Sequence, residues 1–64
     1  MNLLIQRNDE TCLWLSSGDM VSCSYGRTGR AAMKLYCSVP ADVARTQIQA
    51  HLSKGWEIVS GRPS

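Results

Sequence analysis

The sequence predicts an α+β protein: a small antiparallel sheet of four to five strands with one helix packed on one face. Three observations predict it. Short apolar or alternating runs separated by turn residues recur from Leu3 to Cys37, an apolar stripe at helical spacing occurs between Ala41 and Leu52, and one more strand-like run follows at Trp56. Strands followed by a single helix and a returning strand give the order β-β-β-β-α-β, a layered arrangement with the helix over the sheet. At 64 residues the chain forms one domain, residues 1–64. A chain of this size buries roughly 60% of its unfolded surface, so the core is small and a deep substrate pocket has little room.

Leu3-Leu4-Ile5-Gln6-Arg7 reads as the first strand, stopped by Asn8-Asp9-Glu10, whose side chains compete for the backbone and favour a turn. Residues 11–16 and 20–25 read as a hairpin joined by Ser17-Gly18-Asp19. In its second arm Val21, Cys23 and Tyr25 alternate with Met20, Ser22 and Ser24, the period of a half-buried strand. Residues 31–37 resume an extended pattern, with Met33, Leu35 and Cys37 on one face and Lys34 and Tyr36 on the other. Pro40 suits a first helical turn, Ser38 is a candidate cap, and Asp42 lies near the positive end of the helix dipole. Ala41, Ala44, Ile48 and Leu52 make one apolar stripe, ended by Lys54 and a C′ glycine at Gly55. Residues 56–59 fit a last strand, and residues 60–64 read as a frayed end.

Composition excludes several classes of function. The net charge of +2 is too mild for a protein that holds nucleic acid by bulk electrostatics, so the placement of charge matters more than its amount. Cys12, Cys23 and Cys37 are an odd set at wide spacings, which fits free thiols in a reducing cytoplasm. The apolar start at residues 1–5 is too short for a signal sequence, and no segment approaches the ~20 apolar residues of a membrane span. The expectation is a soluble cytoplasmic protein. Cys12, Cys23, Cys37 and His51 are zinc-ligand types, but without a Cys-x-x-Cys knuckle they imply no metal site, and no cofactor is implied. With a single histidine and scattered carboxylates, no catalytic constellation assembles.

The stretch richest in chemistry is Tyr25-Gly26-Arg27-Thr28-Gly29-Arg30. Guanidinium groups and glycine backbone amides can meet phosphate while a phenol stacks on a base. No acidic residue lies between Asp19 and Asp42, so Arg27, Arg30 and Lys34 carry no local neutralisation in sequence. Tyr25, Gly26, Arg27, Gly29, Arg30 and Lys34 are therefore the candidate contacts to DNA or RNA. Trp56 reads as core. Trp14, between Leu13 and Leu15, reads as the exposed member of its run if those leucines are buried, and with Val43 on the outer side of the helix it marks a candidate protein interface.

Tyr25-Gly26-Arg27-Thr28-Gly29 resembles the signature of the WGR domain family, named for its Trp-Gly-Arg tripeptide. The likeness extends to the opening strand at residues 3–8, the helix start within residues 38–48, and Lys54-Gly55-Trp56, which is similar to a closing Lys-Gly-Tyr. The resemblance implies a noncatalytic module that recognises nucleic acid or a protein surface beside it, with Tyr25 and Arg27 at the contact. Here Tyr25 stands for the tryptophan and Thr28 for a usual aliphatic residue. The alternative is a small adaptor or inhibitor, of the kind encoded by phages or mobile elements, that binds a host protein or a second copy of itself through an apolar surface.

Overall fold

The structure is a computed structural model that describes residues 1–27 and 33–62. Among these residues the chain forms strands β1 (Asn2–Arg7), β2 (Glu10–Ser17), β3 (Met20–Arg27) and β4 (Lys34–Pro40), helix α1 (Ala41–Ser53) and strand β5 (Glu57–Arg62). All five strands join one antiparallel sheet in the order β4-β3-β2-β1-β5, the α+β architecture expected. The first two hairpins are tight. Arg7 pairs Glu10 across Asn8-Asp9, and Ser17 pairs Met20 across Gly18-Asp19, with Asn8 at φ 56° and Gly18 at φ 62°.

These turns set the register, and the register decides which face each residue takes. Leu3 pairs Trp14 and Trp14 pairs Cys23, while Ile5 pairs Cys12 and Cys12 pairs Tyr25. All lie on the side covered by the helix, where Leu3, Ile5, Cys12, Trp14, Val21 and Cys23 form the core with Ala44, Ile48 and Trp56. Trp14 is therefore 0% exposed, which overturns the expectation that it forms part of an interface. Alternation alone left its parity open. Hairpin register turns the indole inward, where it removes more apolar area from water than a leucine would. Among the described residues its Nε1 has no hydrogen-bond partner.

The helix buries the predicted stripe. Ala44 and Ile48 are fully enclosed, with Ala41 and Leu52 packed beside them. Enclosing Ile48 contributes roughly 1.5–3 kcal/mol. Pro40 is the N-cap residue and no side chain among the described residues caps the helix; Ser38 lies in β4 opposite Ser22, and Asp42 instead accepts a hydrogen bond from the Val43 N–H at 2.9 Å. At the other end the N–H groups of Lys54 and Trp56 donate to the carbonyl of His51, at 2.9 and 3.2 Å, and Gly55 has φ 96°. This closure fixes the point from which Trp56 enters the core.

Two strands depart from simple alternation. In β4 the register shifts so that Cys37 pairs Cys23 and Leu35 pairs Ser24, leaving Tyr36 as the extra residue of a bulge. The expected face of Met33, Leu35 and Cys37 is thereby broken. Leu35 turns to the open side of the sheet, 68% exposed, while Tyr36 approaches Tyr25 on the helix side. β5 continues past Val59 through Gly61 and Arg62, which pair Leu3 and Asn2, so residues 60–62 are not frayed, while Pro63 and Ser64 lie outside the described residues. Gly61 has φ 84°, and a Cβ there would lie 1.8 Å from the Asn2 carbonyl oxygen; only glycine lets β5 close on β1.

Candidate nucleic-acid interface

Tyr25, Gly26 and Arg27 are the last three residues of β3, paired to Cys12, Thr11 and Glu10. They are strand residues, not a loop. The pairing places Arg7, Glu10 and Arg27 in one row across β1, β2 and β3 at one end of the sheet, on the helix side. Above them lies the C-terminal half of α1. A cavity of about 330 Å³ opens between, lined by Arg7, Tyr25, His51, Lys54 and Trp56 among others.

Three aromatic side chains and one histidine interlock at this end. The His51 ring lies edge-on to Trp14 and Trp56, at 5.8 and 5.1 Å between centroids, and stacks on Tyr25 at 6.1 Å. Its Nδ1 is 2.7 Å from the Gln47 carbonyl oxygen and its Nε2 is 2.8 Å from the Tyr25 hydroxyl. A carbonyl only accepts, so His51 donates from Nδ1, and Nε2 of a neutral ring accepts from the phenol. Burial, followed by the nearby sulfurs of Cys12 and Cys23, pushes the Tyr25 pKa well above that of a free tyrosine. The phenol stays neutral and committed to His51.

The arrangement revises the expected contacts. Tyr25 is half-buried against the helix, so its ring face is engaged by the protein itself. Arg27 is not free of local neutralisation, because Nη1 donates to Asp9 Oδ2 from the β1–β2 turn. The two groups are 67% and 65% exposed, and exposed pairs of this kind contribute about 0.2–1 kcal/mol, too little to hold the guanidinium against a phosphate. Lys34 opens β4 opposite Tyr25 and is exposed. Gly29 and Arg30 lie outside the described residues.

Three side chains at this end were not among the sequence candidates. Tyr36 is 72% exposed and meets Tyr25 edge-on at 5.1 Å. Arg7 sits over the Trp56 ring, 5.2 Å from its centroid, and donates to the Lys54 carbonyl at 3.2 Å. Lys54 adds a second cation to a rim that also carries Glu10. Arg7 was legible, being two residues past Ile5 on the same face of β1, whereas Tyr36 was hidden by a bulge that no short pattern announces. Val43 is exposed on the helix, as expected. Among the described residues, no group of three His, Cys, Asp or Glu side chains is arranged to hold a metal ion, and no helix is long and apolar enough to cross a membrane.

What fold and site define is a small α+β domain, one sheet half-covered by one helix, with an aromatic and cationic end. Compared with known protein families, curated proteins and solved structures, the chain matches none.

Proposed function

We propose that the chain is a noncatalytic module that binds nucleic acid, DNA or RNA, through the end of the sheet bearing Arg27, Lys34 and Tyr36. The observation that carries this reading is an exposed aromatic ring two residues from Lys34, at the end that also bears Arg7, Arg27 and Lys54. Base–aromatic stacking contributes about 1–3 kcal/mol per base, and the cations supply phosphate contacts that position the strand. Kinship with WGR domains belongs to the same proposal in altered form, with the stacking role moved from Tyr25 to Tyr36. Gly26 lets a strand approach the backbone, and Gly29 and Arg30 join the contact on sequence grounds alone. Cytoplasmic location is part of the reading, in keeping with three free thiols.

The experiment is a titration of fluorescently labelled short single- and double-stranded DNA and RNA at low and moderate salt. Binding should weaken steeply with salt, and Arg27→Ala, Lys34→Ala and Tyr36→Ala should each weaken it further. Absence of binding at low salt ends the proposal.

A second reading rests on the opposite face of the sheet. From β1 to β3 that face carries Leu4, Leu13, Leu15 and Met20 among serines, with no ionisable group, and β4 adds the exposed Leu35. Such a face fits an adaptor that docks on a protein partner or on a second copy as a homodimer. A stoichiometric protein partner that survives nuclease treatment, or a concentration-dependent dimer by sedimentation, would favour it over the first.

A further inference from the structure

The helix side of the sheet gathers the three cysteines into one group. Cys12 Sγ and Cys23 Sγ are 3.2 Å apart on neighbouring strands, and Cys37 is the direct cross-strand partner of Cys23 on β4. Cys12 and Cys23 are fully buried, while Cys37, on the edge strand, is half-buried and is the member a solute meets first. None of the three is needed for the proposed nucleic-acid contact.

We propose that Cys12, Cys23 and Cys37 form an oxidisable trio, in which Cys37 takes up two oxidising equivalents from a hydroperoxide and delivers them as a disulfide between Cys12 and Cys23. The Cys37 thiolate attacks one peroxide oxygen, the O–O bond breaks, and Cys37 becomes a sulfenic acid as the departing oxygen takes up the proton Cys37 released and leaves as the first water. The Cys23 proton passes to the Cys12 thiolate 3.2 Å away as the Cys23 sulfur displaces the sulfenic hydroxide; Cys12 hands that proton to the departing hydroxide as the second water, and a Cys23–Cys37 disulfide forms. Finally the Cys12 thiolate attacks the Cys23 sulfur and expels Cys37 as a thiolate, which takes up the proton that Cys12 lost. In sum two thiols and one hydroperoxide give one disulfide and two molecules of water, or water and an alcohol, with two electrons passing from sulfur to oxygen.

The geometry favours Cys12–Cys23 as the end of this sequence. Closing 3.2 Å to the ~2.05 Å of a disulfide asks for little more than about 1 Å of movement. The hydrogen bond from Cys23 lowers the Cys12 pKa, so Cys12 is the member suited to attack, while that same bond and burial keep the Cys23 proton in place. Burial raises the Cys37 thiol, which makes uptake slow and quickens it as pH rises.

The test treats the whole protein with hydrogen peroxide, alkylates the remaining thiols and maps tryptic peptides. Cys12 and Cys23 share the peptide 8–27 and Cys37 lies in 35–45. The expected product is peptide 8–27 short of two hydrogens and unalkylated, with Cys37 alkylated and the change reversed by dithiothreitol. Cys37→Ser should slow its appearance roughly tenfold or more without changing the product. Cys12→Ala, if it folds, should stop at a cross-link between 8–27 and 35–45. Three alkylatable cysteines after peroxide, Cys37 sulfinic acid without an internal disulfide, or dimers linked through Cys37 alone would overturn the proposal. So would a Cys37→Ser protein oxidised as fast as the wild type.

Discussion

The hydroxyl of Tyr25, near the end of β3, lies 2.8 Å from Nε2 of His51, in the last turn of α1. With Nδ1 held by the Gln47 carbonyl, this bond ties the helix to the end of the sheet where the cations collect. The pair orders the site without offering itself to a ligand.

Tyr25→Phe should therefore destabilise the fold by about 0.5–1.5 kcal/mol, the usual loss for one hydrogen bond, while the ring contacts to Trp56 and Tyr36 persist. Urea unfolding followed by tryptophan fluorescence measures it. Nucleic-acid binding should change far less than in Tyr36→Ala, and a larger effect from Tyr25→Phe would return the stacking role to Tyr25.

Stability should decline at alkaline pH. Tyr25 holds its proton more tightly folded than unfolded, so above about pH 10, where a free tyrosine ionises, the unfolded chain binds fewer protons and its formation is favoured as pH rises. Stability from this group is whole below the unfolded pKa and is lost as pH climbs toward the folded one. The raised Cys23 and Cys37 thiols act in the same sense from about pH 9, opposed by the lowered Cys12. Urea midpoints measured between neutral and strongly alkaline pH should fall, and in Tyr25→Phe they should fall less.

Two glycines with positive φ should respond differently to alanine. At Gly18 a Cβ meets nothing within 4 Å, so Gly18→Ala should cost only the left-handed backbone penalty, about 1–2 kcal/mol. At Gly61 the Cβ would collide with the Asn2 carbonyl, so Gly61→Ala should cost more and release the end of β5. Hydrogen exchange at the Leu3 and Arg62 amides would locate the damage, and equal losses from the two substitutions would contradict the pairing of β5 with β1.

Removing the carboxylate beside Arg27 separates stability from binding. Asp9→Asn should shift unfolding by less than about 1 kcal/mol, because the pair is exposed, yet tighten nucleic-acid binding by freeing the guanidinium and removing a negative charge. Binding unchanged in Asp9→Asn and in Arg27→Ala would remove this end of the sheet from the interface.

Charge placed on the open face tests the second reading. Leu13→Lys and Leu15→Glu, on β2 and away from Lys34 and Tyr36, should leave binding of nucleic acid intact and abolish any self-association or protein partner that uses that face. Leu15 is the safer site for folding, since it is already exposed.

The sequence by itself determined the element order, the helix stripe of Ala44 and Ile48, the burial of Trp56 and the two hairpin turns, because each is a local pattern of period, turn residue or helix end. Only the tertiary structure decided that Trp14 points inward, that Tyr36 and not Tyr25 presents an open ring, that Arg27 meets Asp9, and that Cys12 and Cys23 touch. The physical reason is register. A shift of one residue exchanges the faces of a strand, and what fixes it here are pairings between distant residues and a bulge at Tyr36, neither of which leaves a mark in a short run of sequence.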